Sequence, residues 1–149
     1  MALDERLREA AVVRLRSAGL RVTAPRIGTL VALERHPHSD ADAVAGHVRA
    51  TLGAVSTQAV YDVLHALTEA RLVRCIQPAG STARYETRVG DNHHHMICRG
   101  CGVVVDVECV GEEPPCLVPD ASLGFVLDEA EVTFWGYCPA CQAITKENG

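Results

Sequence analysis

The chain has 149 residues, of which 48% are hydrophobic and 22% charged, and a formal net charge of −5. That suits one domain or two small ones sharing a hinge, and no apolar run approaches the ~20 residues of a membrane span. The charge is divided: through Gly90 twelve Arg face nine Asp plus Glu, a net of +3, whereas from Asp91 onward two basic residues face ten acidic ones, a net of −8. Every basic residue of the first part is Arg, which suits phosphate and base recognition, although such a split also occurs on ordinary solvated surfaces.

The first residues, Met1 to Ala18, carry Asp4, Glu5, Arg6, Arg8, Glu9, Arg14 and Arg16 and read as a charged amphipathic helix, with Leu3, Leu7, Ala10, Ala11, Val13 and Leu15 at roughly helical spacing and Gly19 as its stop. This is no secretory signal, so a cytoplasmic protein is expected, with its seven cysteines kept reduced. A second helix follows Thr23 as cap, with Pro25 in its first turn and Ile27, Leu30, Val31 and Leu33 facing inward. A third runs from Ser39 or Asp40 through Val44 and Val48 to about Ala50. The fourth starts near Ser56 or Thr57, buries Val60, Val63, Leu64 and Leu67, and ends near Ala70. Then the period changes: Leu72 to Ile76 reads as a strand, Pro78 to Ser81 as a turn and Thr82 to Glu86 as the returning strand.

Helices followed by a hairpin describe a winged helix-turn-helix, whose last helix would enter the major groove while the hairpin touches the flanking backbone. The outer face of the fourth helix offers Ser56, Thr57, Gln58, Tyr61, Asp62 and His65, a set able to meet base edges and phosphates, though also compatible with a plain solvated face.

Beyond the hairpin the chain carries metal chemistry. Cys98/Cys101 and Cys138/Cys141 are two Cys-x-x-Cys pairs, each able to present two thiolates from a tight turn, and together they complete a tetrahedral Zn²⁺ shell. Strands are expected at Val103–Val107, Phe125–Asp128 and Glu131–Tyr137, with Gly111 to Cys116 irregular. The run Asn92-His93-His94-His95 abuts the first pair and requires a separate account.

Four segments carry a resemblance in order and spacing: Gly19-Leu20-Arg21-Val22-Thr23 with Pro25-Arg26; Ser56 to Leu64; His93 to Gly102; and Tyr137 to Cys141. On these the chain resembles the ferric uptake regulator family, over almost its whole length. The resemblance implies an α/β protein with a winged-helix DNA-binding domain at 1–86, a hinge at 87–95 and a metal-binding α/β dimerisation domain at 96–149. It implies a homodimeric, metal-responsive repressor on double-stranded DNA, with no membrane partner. Arg21 matches the residue that reaches into the minor groove and Tyr61 the tyrosine that packs on thymine; Asp62 stands where some members have Arg. Ser56, Thr57, Gln58 and the wing residue Arg84 complete the expected contacts to an AT-rich inverted repeat.

The resemblance places a structural zinc on the four paired cysteines and a regulatory metal on His38, Glu86, His93, His95 and Asp106. Three imidazoles and two carboxylates suit Fe²⁺ or Mn²⁺ and can accept Zn²⁺ or Ni²⁺. His36 could replace His38, and Asp91 could stand in for Glu86. His47 and His65 read as surface or core histidines, and a further family metal site would fall on Asn92, His94 and Ala130, where its ligands are not kept. The chain looks most like the branch that controls catalase-peroxidase genes, so peroxide sensing is expected, with iron-status sensing as the alternative. Cys75, Cys109 and Cys116 are unpaired by spacing and read as buried thiols, with redox sensing by Cys109 and Cys116 the sharper reading. A zinc hydrolase or deaminase lacks its His-Glu-x-x-His or His-x-Glu motif, and a dithiol oxidoreductase at Cys138-Pro139-Ala140-Cys141 would need metal-free thiols. No enzyme is expected.

Overall fold

A computed structural model describes residues 2–109 and 117–147, so the expectations for Gly111 to Cys116 lie outside the described residues. The chain divides into two compact units, Met1–Val89 and Gly90–Gly149, the break falling within the segment read as a hinge.

The first unit is α1 (Ala2–Ser17), α2 (Ala24–Arg35), α3 (Ala41–Leu52), α4 (Thr57–Glu69), β1 (Arg74–Ile76) and β2 (Arg84–Glu86). The expected caps act as such: Thr23 Oγ1 accepts from Arg26 N, Asp40 Oδ1 from Ala43 N and Ser56 Oγ from Ala59 N, each satisfying an N–H that the helix itself cannot. The apolar stripes of α2, α3 and α4 meet in one core in which Leu30, Leu33, Val44, Val48, Val60, Leu64 and Leu67 are essentially solvent-free, and Leu15 of α1 closes it. Only Ala11 and Leu15 of α1 are buried; Leu3, Ala10 and Val13, which belong to the same apolar series, are exposed. The helix is held partly by polar contacts instead. The Arg14 guanidinium donates to Leu72 O (2.7 Å), Thr87 O (3.2 Å) and Glu34 Oε1 (3.1 Å), tying α1 to both ends of the hairpin, and Arg35 pairs with Asp4.

β1 and β2 pair antiparallel with Cys75 opposite Tyr85. The loop between α2 and α3 extends this small sheet: Tyr85 N donates to Ser39 O and His38 N to Tyr85 O, at 3.0 and 2.9 Å. This pairing holds His38 at φ 65°, a left-handed conformation that costs a non-glycine residue about 1 kcal/mol or more and persists where its surroundings over-determine it.

The second unit is a sheet of order β4-β3-β5, formed by β3 (His93–Cys98), β4 (Val104–Glu108) and β5 (Thr133–Gly136), followed by α5 (Pro139–Glu147). β3 pairs antiparallel with β4 and parallel with β5, so the histidine run is the central strand of the sheet. The expected strand at Phe125–Asp128 does not form. Phe125 N closes a turn onto Ser122 O, and Phe125, Val126 and Leu127 are exposed. A short apolar run can suit a strand, but a strand also needs a ladder partner, and none is present among the described residues.

No helix among the described residues is long and apolar enough to cross a membrane.

Candidate functional site

The four paired cysteines converge. Cys98 ends β3 and Cys101 lies in the turn to β4; Cys138 directly precedes α5 and Cys141 sits in its first turn. The parallel register of β3 with β5 sets Cys98 beside Gly136, two residues before Cys138, and Arg99 N donates to Gly136 O at 2.7 Å. All four sulfurs lie within 4.8 Å of one another, with Cys101 Sγ and Cys138 Sγ 3.8 Å apart. A tetrahedron with Zn–S bonds of about 2.3 Å has S···S edges of about 3.8 Å, so the cluster has the dimensions of a closed Zn(Cys)₄ shell.

Its electrostatics point the same way. The N–H groups of Cys138 and Gly100, both 3.3 Å from Cys98 Sγ, stabilise that thiolate. They act with Cys101, Cys138 foremost, and the Cys98 pKa is held down to about 6. Cys141, facing the sulfurs of Cys138, Cys98 and Cys101, is pushed up to about 12. Four adjacent thiols cannot all lose their protons against one another, and a dication is the group that lets them. Gly100 is required by the packing: a Cβ there would stand 2.8 Å from Cys141 Sγ.

The other ligand candidates are arranged separately in the two units. In the first, His38 Nε2 lies 3.2 Å from Glu86 Oε2, and Arg84 donates from its guanidinium to His38 O at 3.2 Å. His36 is directed elsewhere, its ring stacked on that of His47 with centroids 3.9 Å apart. His38 is therefore the histidine brought to Glu86. In the second, His95 is the ladder partner of Asp106, with Nε2 3.4 Å from Oδ1, and His93 Nε2 is 3.8 Å from the same oxygen. His93 and His95 are two apart on one strand and so share a face of the sheet, both buried. Asp91 Oδ1 contacts His93 Nδ1 at 2.5 Å. That is the relation in which an outer carboxylate fixes an imidazole and leaves Nε2 for a metal. His94 points to the opposite face, where its Nδ1 accepts from Val132 N.

His94 is buried on that face, and the row beside it is apolar and exposed. Met96, Val105 and Phe134 form one cross-strand row, 48%, 52% and 47% exposed.

On α4, Gln58, Tyr61 and Asp62 are exposed, as is Ser56 at its cap. The Ser56 hydroxyl accepts from Ala59 N and that of Thr57 from Arg49 at 2.6 Å, leaving each O–H free to donate. Arg49, which the sequence reading did not single out, also donates to Val55 O (3.0 Å) and so fastens the end of α3 to the start of α4. Its only sequence signal was an Arg in the last turn of a helix. Arg21 is exposed and its backbone is pinned by a bond from Arg26 to Arg21 O at 2.7 Å.

A family model for the ferric uptake regulator family matches residues 17–113. The chain belongs to that family. Among curated proteins it is 61% identical over 128 residues to the transcriptional regulator FurA of Mycobacterium tuberculosis, covering 86% of this chain and 87% of that one. It is 57% identical to ferric uptake regulation protein 1 of Mycolicibacterium fortuitum, with 81% and 75% covered. Among solved structures, the ferric uptake regulator of Helicobacter pylori superposes with a TM-score of 0.67 at 19% identity over 93% of both chains, a likeness of fold. Membership makes the protein a transcriptional regulator, not an enzyme, and the Cys₄ and His/carboxylate groups are candidate metal sites of a family regulator.

Proposed function

We propose that the protein is a homodimeric repressor whose DNA affinity is set by one regulatory ion held jointly by His38, Glu86, His93, His95 and Asp106, with Zn²⁺ at the four cysteines as a structural staple. The observation that carries this reading is the matching arrangement in the two units: each supplies imidazole Nε2 atoms next to a carboxylate oxygen, at 3.2 Å in one and 3.4 Å in the other. An N/O donor set of this kind suits Fe²⁺ or Mn²⁺ and accepts Zn²⁺ or Ni²⁺. Ligands drawn from a DNA-binding unit and a sheet unit make metal binding a constraint on the angle between them. Only one angle lets two recognition helices of a dimer meet successive half-sites. The apolar row Met96, Val105 and Phe134 supplies a surface for a second copy.

The operator is an AT-rich inverted repeat, contacted by Arg21, Ser56, Thr57, Gln58 and Tyr61, with Arg84 contributing from the wing beside the His38 carbonyl. Arg21→Ala removes a cation from the narrow minor groove of such a site. Specific binding should weaken roughly tenfold and the slope of log affinity against log salt should fall by about 1, as measured by fluorescence anisotropy. An unchanged slope would make Arg21 a surface residue with no part in the interface.

The signal is peroxide. This rests on the resemblance of the His36-Pro37-His38 run, of Gln58 to His65 and of the Cys109 to Cys116 segment to the branch that controls catalase-peroxidase genes; of the carboxylates, Asp106 resembles peroxide-sensing members and Glu86 iron-sensing ones. Fe²⁺ held by these residues would supply the electrons that reduce peroxide, and His38 and His93 would present the oxidisable imidazole carbons beside it. An oxidised imidazole is a poorer ligand, so repression ends. A second reading is favoured by Cys109, which is disulfide-bonded: a thiol switch, reversible by reductants. Cys116 lies outside the described residues. Mass spectrometry of the Fe²⁺-loaded protein after peroxide separates the two, since oxygen added to the peptide of His38 or His93 supports the metal route. Unmodified histidines with loss of DNA binding that dithiothreitol restores would assign the signal to thiols. Intact histidines with DNA binding retained would leave iron status as the signal.

A further inference from the structure

On α4 the Gln58 side chain donates from Nε2 to Asp62 Oδ1 at 2.9 Å. Both residues are exposed and one helical turn apart, on the side of the helix that also carries Tyr61. A carboxylate on a helix meant for DNA is at first sight misplaced, because it faces phosphates of its own sign. No cation neutralises Asp62 among the described residues; its partner is the Gln58 amide. The contact also has only one sensible orientation. An ionised carboxylate solely accepts, so the amide nitrogen of Gln58 must face it and the amide oxygen must face away.

An amide that gives one N–H to a carboxylate retains a second N–H and its carbonyl oxygen. A donor beside an acceptor is the pattern complementary to adenine in the major groove, which offers N7 to accept and N6–H to donate. Guanine, with two acceptors on that edge, would meet the Gln58 oxygen with its own O6. Thymine and cytosine each offer one polar group there. Resting on the reading of α4 as the recognition helix, we propose that Gln58 reads an adenine in each half-site and that Asp62 is a positioning residue. By holding the amide plane and excluding its flipped form, Asp62 presents Gln58 in the single orientation that distinguishes adenine from guanine. The same carboxylate repels misplaced phosphates and so lowers binding to unrelated DNA, which raises specificity from a second side.

The test uses the full-length, metal-loaded protein and operator duplexes in which each adenine of a half-site is replaced in turn by guanine, paired with cytosine, or by 7-deazaadenine, which lacks only the N7 acceptor. In the parent, one position should lose roughly tenfold or more on either replacement. Gln58→Ala should abolish the discrimination at that position. Asp62→Ala should reduce it to a few-fold or less while binding to random-sequence DNA becomes tighter, and Asp62→Glu, which can still accept from the Gln58 amide, should restore it. Both side chains are exposed, and unchanged helical circular dichroism in the variants would show that the change is not one of folding. If Tyr61→Ala loses operator binding but Asp62→Ala keeps the parent's adenine preference, the positioning role is wrong while α4 remains the reading helix. If neither Tyr61→Ala nor Gln58→Ala alters operator binding, α4 does not enter the groove and both readings fall.

Discussion

Cys98→Ser or Cys138→Ser should release the structural zinc and unfold the second unit. The expected result is a fall from one zinc per chain to near none by elemental analysis, with loss of the dimer by sedimentation and loss of the cooperative thermal transition of residues 90–149. The size of the effect follows from how little else holds this unit together. Its three strands are four to six residues long, and Phe125 and Val126 lie largely in solvent, Val126 being 97% exposed. Structural zinc contributes roughly 10–16 kcal/mol of apparent binding free energy in small Cys/His domains, more than the whole stability of many folds. Serine cannot replace the thiolate at neutral pH, and removing one sulfur leaves three thiols that oppose one another's ionisation, the direction in which Cys141 is displaced. The staple also joins elements distant in sequence, Cys98 with Cys138, so its loss restores the freedom of a long loop. A dimer that retains both zinc and its melting transition after either substitution would remove this assignment.

His95→Ala should have the opposite character: a folded, zinc-containing dimer that no longer answers to metal. His95 lies in the central strand, directly across from Asp106, and its replacement removes an imidazole without touching the cysteine cluster or the helical core. Altered outer-shell groups cost metal sites about 10–100-fold in affinity, and a lost ligand should cost at least the upper end of that range. Operator binding at saturating Mn²⁺ should then fall to the level of the apo parent, because the ion can no longer favour one arrangement of the units. His93→Ala should act similarly, whereas Asp91→Ala, which removes the contact to His93 Nδ1 and keeps the imidazole, should give a right-shifted metal titration with the same plateau. Isothermal titration with Mn²⁺ beside an operator-binding isotherm for each variant separates these cases. Parent-like repression by His95→Ala would take the switch away from these histidines.

Several features were legible in the residues alone because they depend on neighbours along the chain. The N-caps Thr23, Asp40 and Ser56 and the inward stripes of α2, α3 and α4 follow from helical period and local hydrogen bonding, and they appear where that chemistry puts them. The convergence of two Cys-x-x-Cys pairs was legible because a knuckle is a local turn and its valence demands another. Where sequence and structure part, the deciding contact was remote. His93 and His95 had no strand signal, since histidine has no marked β preference; β4 on one side and β5 on the other make that run the middle of a sheet. Phe125–Asp128 had a short apolar run and, among the described residues, no ladder to join. The approach of His38 to Glu86 follows from the bonds of the α2–α3 loop to Tyr85, and the 2.5 Å contact of Asp91 with His93 is one that spacing could not foresee. Local spacing named the cysteine donors and the family resemblance the imidazole and carboxylate donors, and non-local strand pairing decided which neighbours within each unit face one another.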